Sequence, residues 1–182
     1  MWVVGRAAFS GEDVHWEIER RKDDYADTLV GNNGNNSLFG GAGNDILSGG
    51  VGSDNLTGGL GRDTMTGGTG ADVFDFNVVS ETGKTAATRD IIKDFQHLVD
   101  DIDLSTIDAN TKVAGNQVFK FLAVKAAAFT GVAGQLHWLQ INPTGTLNDK
   151  TIIEGDINGD RVADFQIELT GLKLLTASDF VL

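Results

Sequence analysis

The chain of 182 residues has no cysteine, a single proline, three histidines, and only 14 basic residues against 26 acidic ones. Each scarcity excludes something. Without thiols there is neither a disulfide framework nor a thiolate metal site, so stability outside a reducing compartment has to come from another kind of cross-link. A formal charge of -12 and a pI near 4.4 repel phosphate backbones and anionic lipid surfaces. Cations are the expected partners, and no nucleic acid is. No apolar run approaches bilayer length, so no membrane insertion is expected. The opening MWVVGRAAFS also lacks the cationic start and the apolar stretch of about 7 to 15 residues of a cleaved signal peptide. An exported protein of this sequence would carry its address elsewhere.

What the chain has in abundance is glycine, 24 residues, and from residue 27 it falls into a period of nine. The blocks are GNNGNNSLF, GGAGNDILS, GGVGSDNLT, GGLGRDTMT and GGTGADVFD. Gly31, Gly40, Gly49, Gly58 and Gly67 hold position one, and Gly34, Gly43, Gly52, Gly61 and Gly70 hold position four. Position six carries Asn36, Asp45, Asp54, Asp63 and Asp72, with Asp27 one period earlier. Position eight carries Leu29, Leu38, Leu47, Leu56, Met65 and Phe74. One apolar anchor per nine residues cannot offset the entropy of ordering so glycine-rich a segment, which should therefore be unfolded by itself. A flexible linker, in turn, would not hold Asp and Leu in fixed phase over five blocks.

A six-residue loop followed by a three-residue strand reverses direction each time, so two blocks make one coil. Position six then forms two columns, Asp27, Asp45 and Asp63 in one and Asn36, Asp54 and Asp72 in the other, spaced by about 4.8 Å. Stacked carboxylates repel unless a cation separates them. Carbonyls of positions two and four can join the position-six group: Asn32 and Gly34, Gly41 and Gly43, Gly50 and Gly52, Gly59 and Gly61, Gly68 and Gly70. Two stacked loops then offer about six hard oxygens and no nitrogen or sulfur, a donor set that suits Ca2+. About four ions are expected, between loops 27/45, 36/54, 45/63 and 54/72. Asn36 lacks the acid, and Lys22, Asp23 and Tyr25 stand where the Asp27 loop should have glycine or its neighbours. Asp90 lies 18 residues, one coil, beyond Asp72 and is expected to close the last site.

Before the repeat, DVHWEIE reads as a short strand. After Phe76, short β-type runs such as QVFKFL, QLHWLQIN, TIIEG and ADFQIELT follow, KAAAF alone leans to helix, and Pro143 sits in a turn-like INPTGT. DINGDRVAD places Asp156, Asn158, Asp160 and Asp164 at the 1, 3, 5, 9 spacing of a calcium loop. Arg161 stands at the glycine position and Ile167 where the bidentate acid belongs, so a hairpin turn competes with that reading.

The repeat resembles the calcium-binding nonapeptide of RTX proteins. With TRDIIKDFQHLVDDIDLSTID, GQLHWLQ, EGDINGDRVADFQIELTG and LTASDFVL, the chain from about residue 27 to 182 is similar to the C-terminal domain of serralysin-type metalloproteases; a related roll module occurs in alginate epimerases. The resemblance implies an all-β fold: a right-handed parallel β-roll over 27–76, then an antiparallel β-sandwich over 77–182, with 1–26 as a cap or the stump of another domain. It implies a secreted, extracellular protein that folds on calcium and leaves through a type I (ABC) exporter. Asp45, Asp54, Asp63 and Asp72, with their loop glycines, match the family's calcium half-sites. Asp90 and Asp100 match acids just after the roll, and Asp179, Phe180, Val181 and Leu182 match the terminal export signal, or simply end an edge strand. Leu98 stands where the family often has glycine.

Two departures bear on function. No HExxH occurs, and His15, His97 and His137 form no i, i+4 pair, so protease chemistry has no zinc ligands here. No catalytic constellation is found either, so no enzyme activity is expected of these residues. Alternatives are the non-catalytic end of a secreted metallopeptidase, epimerase or lipase, with its catalytic domain upstream, or an adhesive module.

Overall fold

A computed structural model describes residues 25–142 and 148–182. The strand expected in DVHWEIE and the turn at Pro143 lie outside the described residues. Each nonapeptide supplies one strand: β1 (Thr28–Val30), β2 (Ser37–Ala42), β3 (Ile46–Val51), β4 (Asn55–Leu60), β5 (Thr64–Thr69) and β6 (Val73–Asp75). Odd strands stack in one sheet and even strands in the other, all parallel. Leu29 lies beside Leu47, Leu47 beside Met65, Leu38 beside Leu56 and Leu56 beside Phe74. The partners in each of these pairs are 18 residues apart, so two blocks do make one coil.

The anchors fill the space between the sheets. Leu38, Leu47, Leu56, Met65 and Phe74 are fully buried in one cluster, with Leu38 on the edge strand β2 having an anchor on one side. This column does not end with the repeats. It runs on through Ile92 and Ile102 into Phe76, Phe95, Leu136, Trp138, Ile153, Phe165, Ile167 and Leu169 as one cluster. Burial of that larger set adds hydrophobic free energy to the little that the repeat has on its own.

Both sheets accordingly pass residue 77 without a break. β7 (Asp90–Ile92) lies parallel to β5, and β8 (Asp101–Asp103) parallel to β6. β9 (Lys120–Phe121), β10 (Gln135–Ile141), β11 (Lys150–Asp156) and β12 (Phe165–Thr170) extend the first sheet to eight strands, ordered β1-β3-β5-β7-β12-β11-β10-β9. Among the described residues, antiparallel pairing is confined to β10–β11 and β11–β12. The second sheet, β13-β8-β6-β4-β2, closes on β13 (Phe180–Val181). KAAAF forms no helix: Ala126 takes a left-handed φ of 55° and donates its N–H to the Trp138 carbonyl, so contact with the sheet overrides alanine's propensity.

Candidate metal centre

The loops joining these strands carry a ladder of carboxylates. Asp45 Oδ1 accepts the Asp27 N–H, Asp54 that of Asn36, Asp63 that of Asp45 (each 2.7 Å) and Asp72 that of Asp54 (2.9 Å). Each acid therefore turns back toward the coil before it. The ladder continues beyond the repeats, where Asp90 accepts from Asp63 (2.7 Å) and Asp100 from Asp72 (3.1 Å).

Those last rungs correct the expectation for Asp90. A count of 18 residues placed it over Asp72, but it stands over Asp63, 27 residues on, and Asp100 takes the rung over Asp72, 28 residues on. The cause is the segment after Phe76. Instead of another nine-residue block it makes a 3-10 turn at Val79–Glu81 and a longer loop, which shifts the chain by half a coil before β7. The two columns are thus Asp27, Asp45, Asp63, Asp90 and Asn36, Asp54, Asp72, Asp100.

The second oxygen of each carboxylate tells more. Oδ2 of Asp54, Asp63, Asp72 and Asp90 is buried and has no hydrogen-bond partner among the described residues. An anionic oxygen so placed is costly to leave unpaired. Burial pushes Asp63 up to about 7, against the lowering effect of the Asp45 N–H, with the Asp45 and Glu81 charges adding to the rise. In the same way burial raises Asp72 to about 6 and Asp90 to about 8, and lifts Asp54 and Asp100 above the ordinary aspartate value.

Glycine geometry shows what shares that space. Gly59 (φ 95°) and Gly61 (φ 138°) lie in a backbone region that disfavours side chains, and a Cβ on either would collide with the Gly41 or Gly43 carbonyl oxygen of the coil below. The carbonyls of positions two and four therefore point into the layer toward which Asp63 also turns. One coil along the other column, the Gly50 and Gly52 carbonyls stand in the same relation to Gly68, Gly70 and Asp72, as do those of Asn32 and Gly34 to Gly50, Gly52 and Asp54. At the N-terminal end the Tyr25 carbonyl takes the position-four place beneath Gly43, although Tyr25 is not a glycine. Each layer thus combines backbone carbonyls with a carboxylate and contains no nitrogen or sulfur ligand, and the orphaned Oδ2 atoms fit a hard divalent cation such as Ca2+. Asn36 differs: its Oδ1 accepts the Asn32 N–H at 2.7 Å within its own loop.

Asp94, absent from the sequence-based set, closes the last repeat. Its two oxygens accept the Gly67 and Gly68 N–H groups at 2.9 and 2.8 Å. No repeat phase marks it; the only signal is an acid beside the buried Phe95 in KDF. Position five contributes as well, since Asn35 and Asn44 accept the Ser53 and Arg62 N–H groups one coil later.

The other candidate residues have different surroundings. In the loop between β11 and β12, Asp156 accepts the N–H groups of Asn158, Gly159 and Arg161, Asp164 that of Ile157, Asn158 that of Asp160, and Asp160 that of Val162. Backbone donors occupy these side chains, which hold the turn of a hairpin. Arg161 keeps a left-handed φ of 74° where glycine was expected, and Leu98 does likewise at 62°. Asp179 is fully buried, taking His97 Nδ1 at 2.7 Å and the N–H groups of Leu98 (3.0 Å) and Thr176 (2.6 Å). Phe180 and Val181 pair with β8, and the Phe180 ring packs on Phe121 at 5.1 Å. The terminal residues are built into the second sheet.

The solved structures similar to this chain include two solution structures of subunits of a mannuronan C5-epimerase from Azotobacter vinelandii. The AlgE6R3 subunit is 29% identical, with 87% of this chain and 78% of that chain covered and a TM-score of 0.61. The AlgE6R2 subunit is 26% identical, with 87% and 88% covered and a TM-score of 0.58. Comparison with curated proteins returns no significant match. The family model described as peptidase M10 serralysin C terminal matches residues 8–182, and the chain belongs to that family.

Proposed function

We propose that this chain is a calcium-dependent folding module of a secreted protein, taken out of the cell by a type I exporter and attached to a catalytic domain upstream. The observation that carries the reading is the set of buried Oδ2 atoms at Asp54, Asp63, Asp72 and Asp90 that have no partner among the described residues, the first three in layers with carbonyls from the preceding coil. Asp45 and Asp100 carry the Oδ1 ladder to its two ends.

Calcium, when bound, supplies the positive charge that these layers lack. The chain's own residues do the rest: glycines turn carbonyls inward, Oδ1 atoms lock each acid to the coil below, and the anchor column aligns the coils. Where calcium is scarce, as in a cytosol, like charges stacked in a low-dielectric layer hold the roll open, and the chain stays unfolded for export. Outside, binding free energy becomes folding free energy. Asp179 to Leu182 serve as the exporter's address while the chain is unfolded.

Calcium titration of the chain, followed by circular dichroism, tests the folding part. A strand spectrum should grow with calcium and vanish in chelator. A spectrum already complete in chelator, and unmoved by calcium, refutes it. For export, a reporter carrying this chain should lose secretion when Asp179 to Leu182 are deleted; undiminished secretion removes the address from those residues.

A further inference from the structure

The dipeptide Asn-Gly occurs twice in the chain, as Asn33–Gly34 in the first nonapeptide and as Asn158–Gly159 in the turn between β11 and β12. Its chemistry is particular. A glycine nitrogen, with no side chain beside it to block the approach, can attack Cγ of the preceding asparagine and expel ammonia, which makes asparagine a thermolabile residue where the chain allows that motion. The two copies share a sequence, and the fold decides between them.

Asn158 is held at both ends. Its Nδ2, the leaving group, donates to the two oxygens of Asp164 at 2.9 and 3.0 Å, and its Oδ1 accepts the Asp160 N–H at 2.8 Å. The Gly159 nitrogen, the nucleophile, donates to Asp156 Oδ1 at 2.6 Å. Attack requires that nitrogen to lose its proton, and an amide anion beside a carboxylate is electrostatically disfavoured. Asn33 has none of these restraints. Its side chain is exposed and makes no hydrogen bond among the described residues, and the Gly34 N–H donates to the neutral Asn32 Oδ1 at 2.7 Å, at the surface. A Cβ on Gly34 would meet nothing nearer than that same oxygen, at 3.3 Å, so the approach to the nitrogen is open.

The place of Asn33 in its block gives the reaction a consequence. Ala42, Val51, Leu60 and Thr69 hold position three in the other blocks, so Asn33 is the one amide there. It lies between the Asn32 and Gly34 carbonyls, which face Gly50, Gly52 and the layer of Asp54. We infer that Asn33 is a deamidation site whose conversion disables the Asp54 layer, an inference that rests on the reading of those layers as calcium sites. The bond from Gly34 N to Asn33 Cγ forms as the Cγ–Nδ2 bond breaks, and ammonia leaves with the amide proton. Water then opens the cyclic imide. Cleavage on the Cγ side gives aspartate. Cleavage at the main-chain carbonyl gives isoaspartate, whose backbone runs through Cβ and Cγ and is one carbon longer, so the two ligand carbonyls lose their spacing. The balance is one water in and one ammonia out.

The test is incubation of the chain in warm, mildly alkaline calcium buffer, followed by peptide mass mapping with chromatographic separation of aspartate from isoaspartate. Asn33 should convert at least about tenfold faster than Asn158, the factor carried by one hydrogen bond to a charged group. In urea, where the restraints on Asn158 are gone, most of that difference should vanish. Gly34→Ala should slow conversion at Asn33. The aged chain should need several times more calcium for its strand spectrum than the fresh one, while aged Asn33→Gln, which has no fast route to the imide, should not change. Asn33 left intact, or converting no faster than Asn158, would overturn the inference. So would an aged chain whose calcium midpoint equals that of the fresh chain when Asp54→Asn raises it. A calcium response absent from the fresh chain refutes the reading of the layers, whereas the peptide map decides the modification site without it.

Discussion

Replacing Asp54 by asparagine should reverse sign with calcium. In the parent, Asp54 Oδ1 holds the Asn36 N–H at 2.7 Å while Oδ2 is buried without a partner. Asparagine keeps an oxygen for the N–H and removes the charge. At a calcium concentration about 100 times the dissociation constant, each ion adds about 2.7 kcal/mol to folding, so losing the two sites that adjoin Asp54 costs about 5 kcal/mol. That is a large share of the roughly 5–15 kcal/mol by which a domain is stable. In chelator the balance differs. Burial holds the Asp54 carboxyl above its ordinary value, so its charge opposes the metal-free fold and the amide relieves it. Alanine at the same position also strands the Asn36 N–H, at about 1–3 kcal/mol in either condition. Urea unfolding in excess calcium, and the concentration of the osmolyte TMAO needed to fold each chain in chelator, measure all six values for parent, D54N and D54A. D54N should be the least damaged in chelator and strongly destabilised in calcium. Equal losses for D54N in both conditions would mean that the carboxylate acts only through its hydrogen bond, and the metal layer would be refuted.

Gly59→Ala should raise the calcium midpoint sharply. A left-handed residue costs about 1–2 kcal/mol, and the added Cβ also displaces the Gly41 carbonyl from the layer. Gly34→Ala, whose Cβ meets only the Asn32 side chain, should move it far less in the same titration. Acid should have opposite effects with and without metal. Asp63, Asp72 and Asp90 have folded, metal-free values of about 7, 6 and 8, above the ordinary 3.8, so the metal-free fold is favoured in acid and loses that support as pH rises from about 4 to 8. In calcium, protons compete for the same oxygens, and the midpoint should climb as pH falls from about 8 to 6; circular dichroism across pH in both buffers checks the pair. Asp179→Ala leaves the Leu98 and Thr176 N–H groups without their acceptor, a loss of about 3 kcal/mol. Calorimetry in calcium should show melting ~10 °C lower; an unchanged transition would mean that the terminal strand does not support the fold. Asp94→Ala should release the Gly67 and Gly68 N–H groups and fray the last repeat first, as faster amide exchange at those two residues.

The period of nine by itself determined the roll: that each block gives one strand, that two blocks make a coil, that the anchors stack and that the acids fall in two columns. These follow because a strict repeat leaves one way to satisfy its glycine and leucine phases together. Strand length it did not determine, since β2 to β5 run six residues, through the glycines of positions one and two, where a three-residue strand is expected. Where the repeat stops, local pattern stops deciding. A count of 18 puts Asp90 in the wrong column because it assumes a regular coil, and the loop through Val79–Glu81 is not one. Asp94 carries no signal that a linear reading can detect, since its partners Gly67 and Gly68 are brought to it by β7 joining β5. KAAAF and the left-handed Leu98 and Arg161 show tertiary contacts overruling local preference. Even the roll depends on this: its single anchor per block is supported by Ile92, Ile102 and the C-terminal strands, which continue the same core. Sequence set the ligand chemistry of each loop; only the packing of distant strands decided which acids face which carbonyls, and how the column ends.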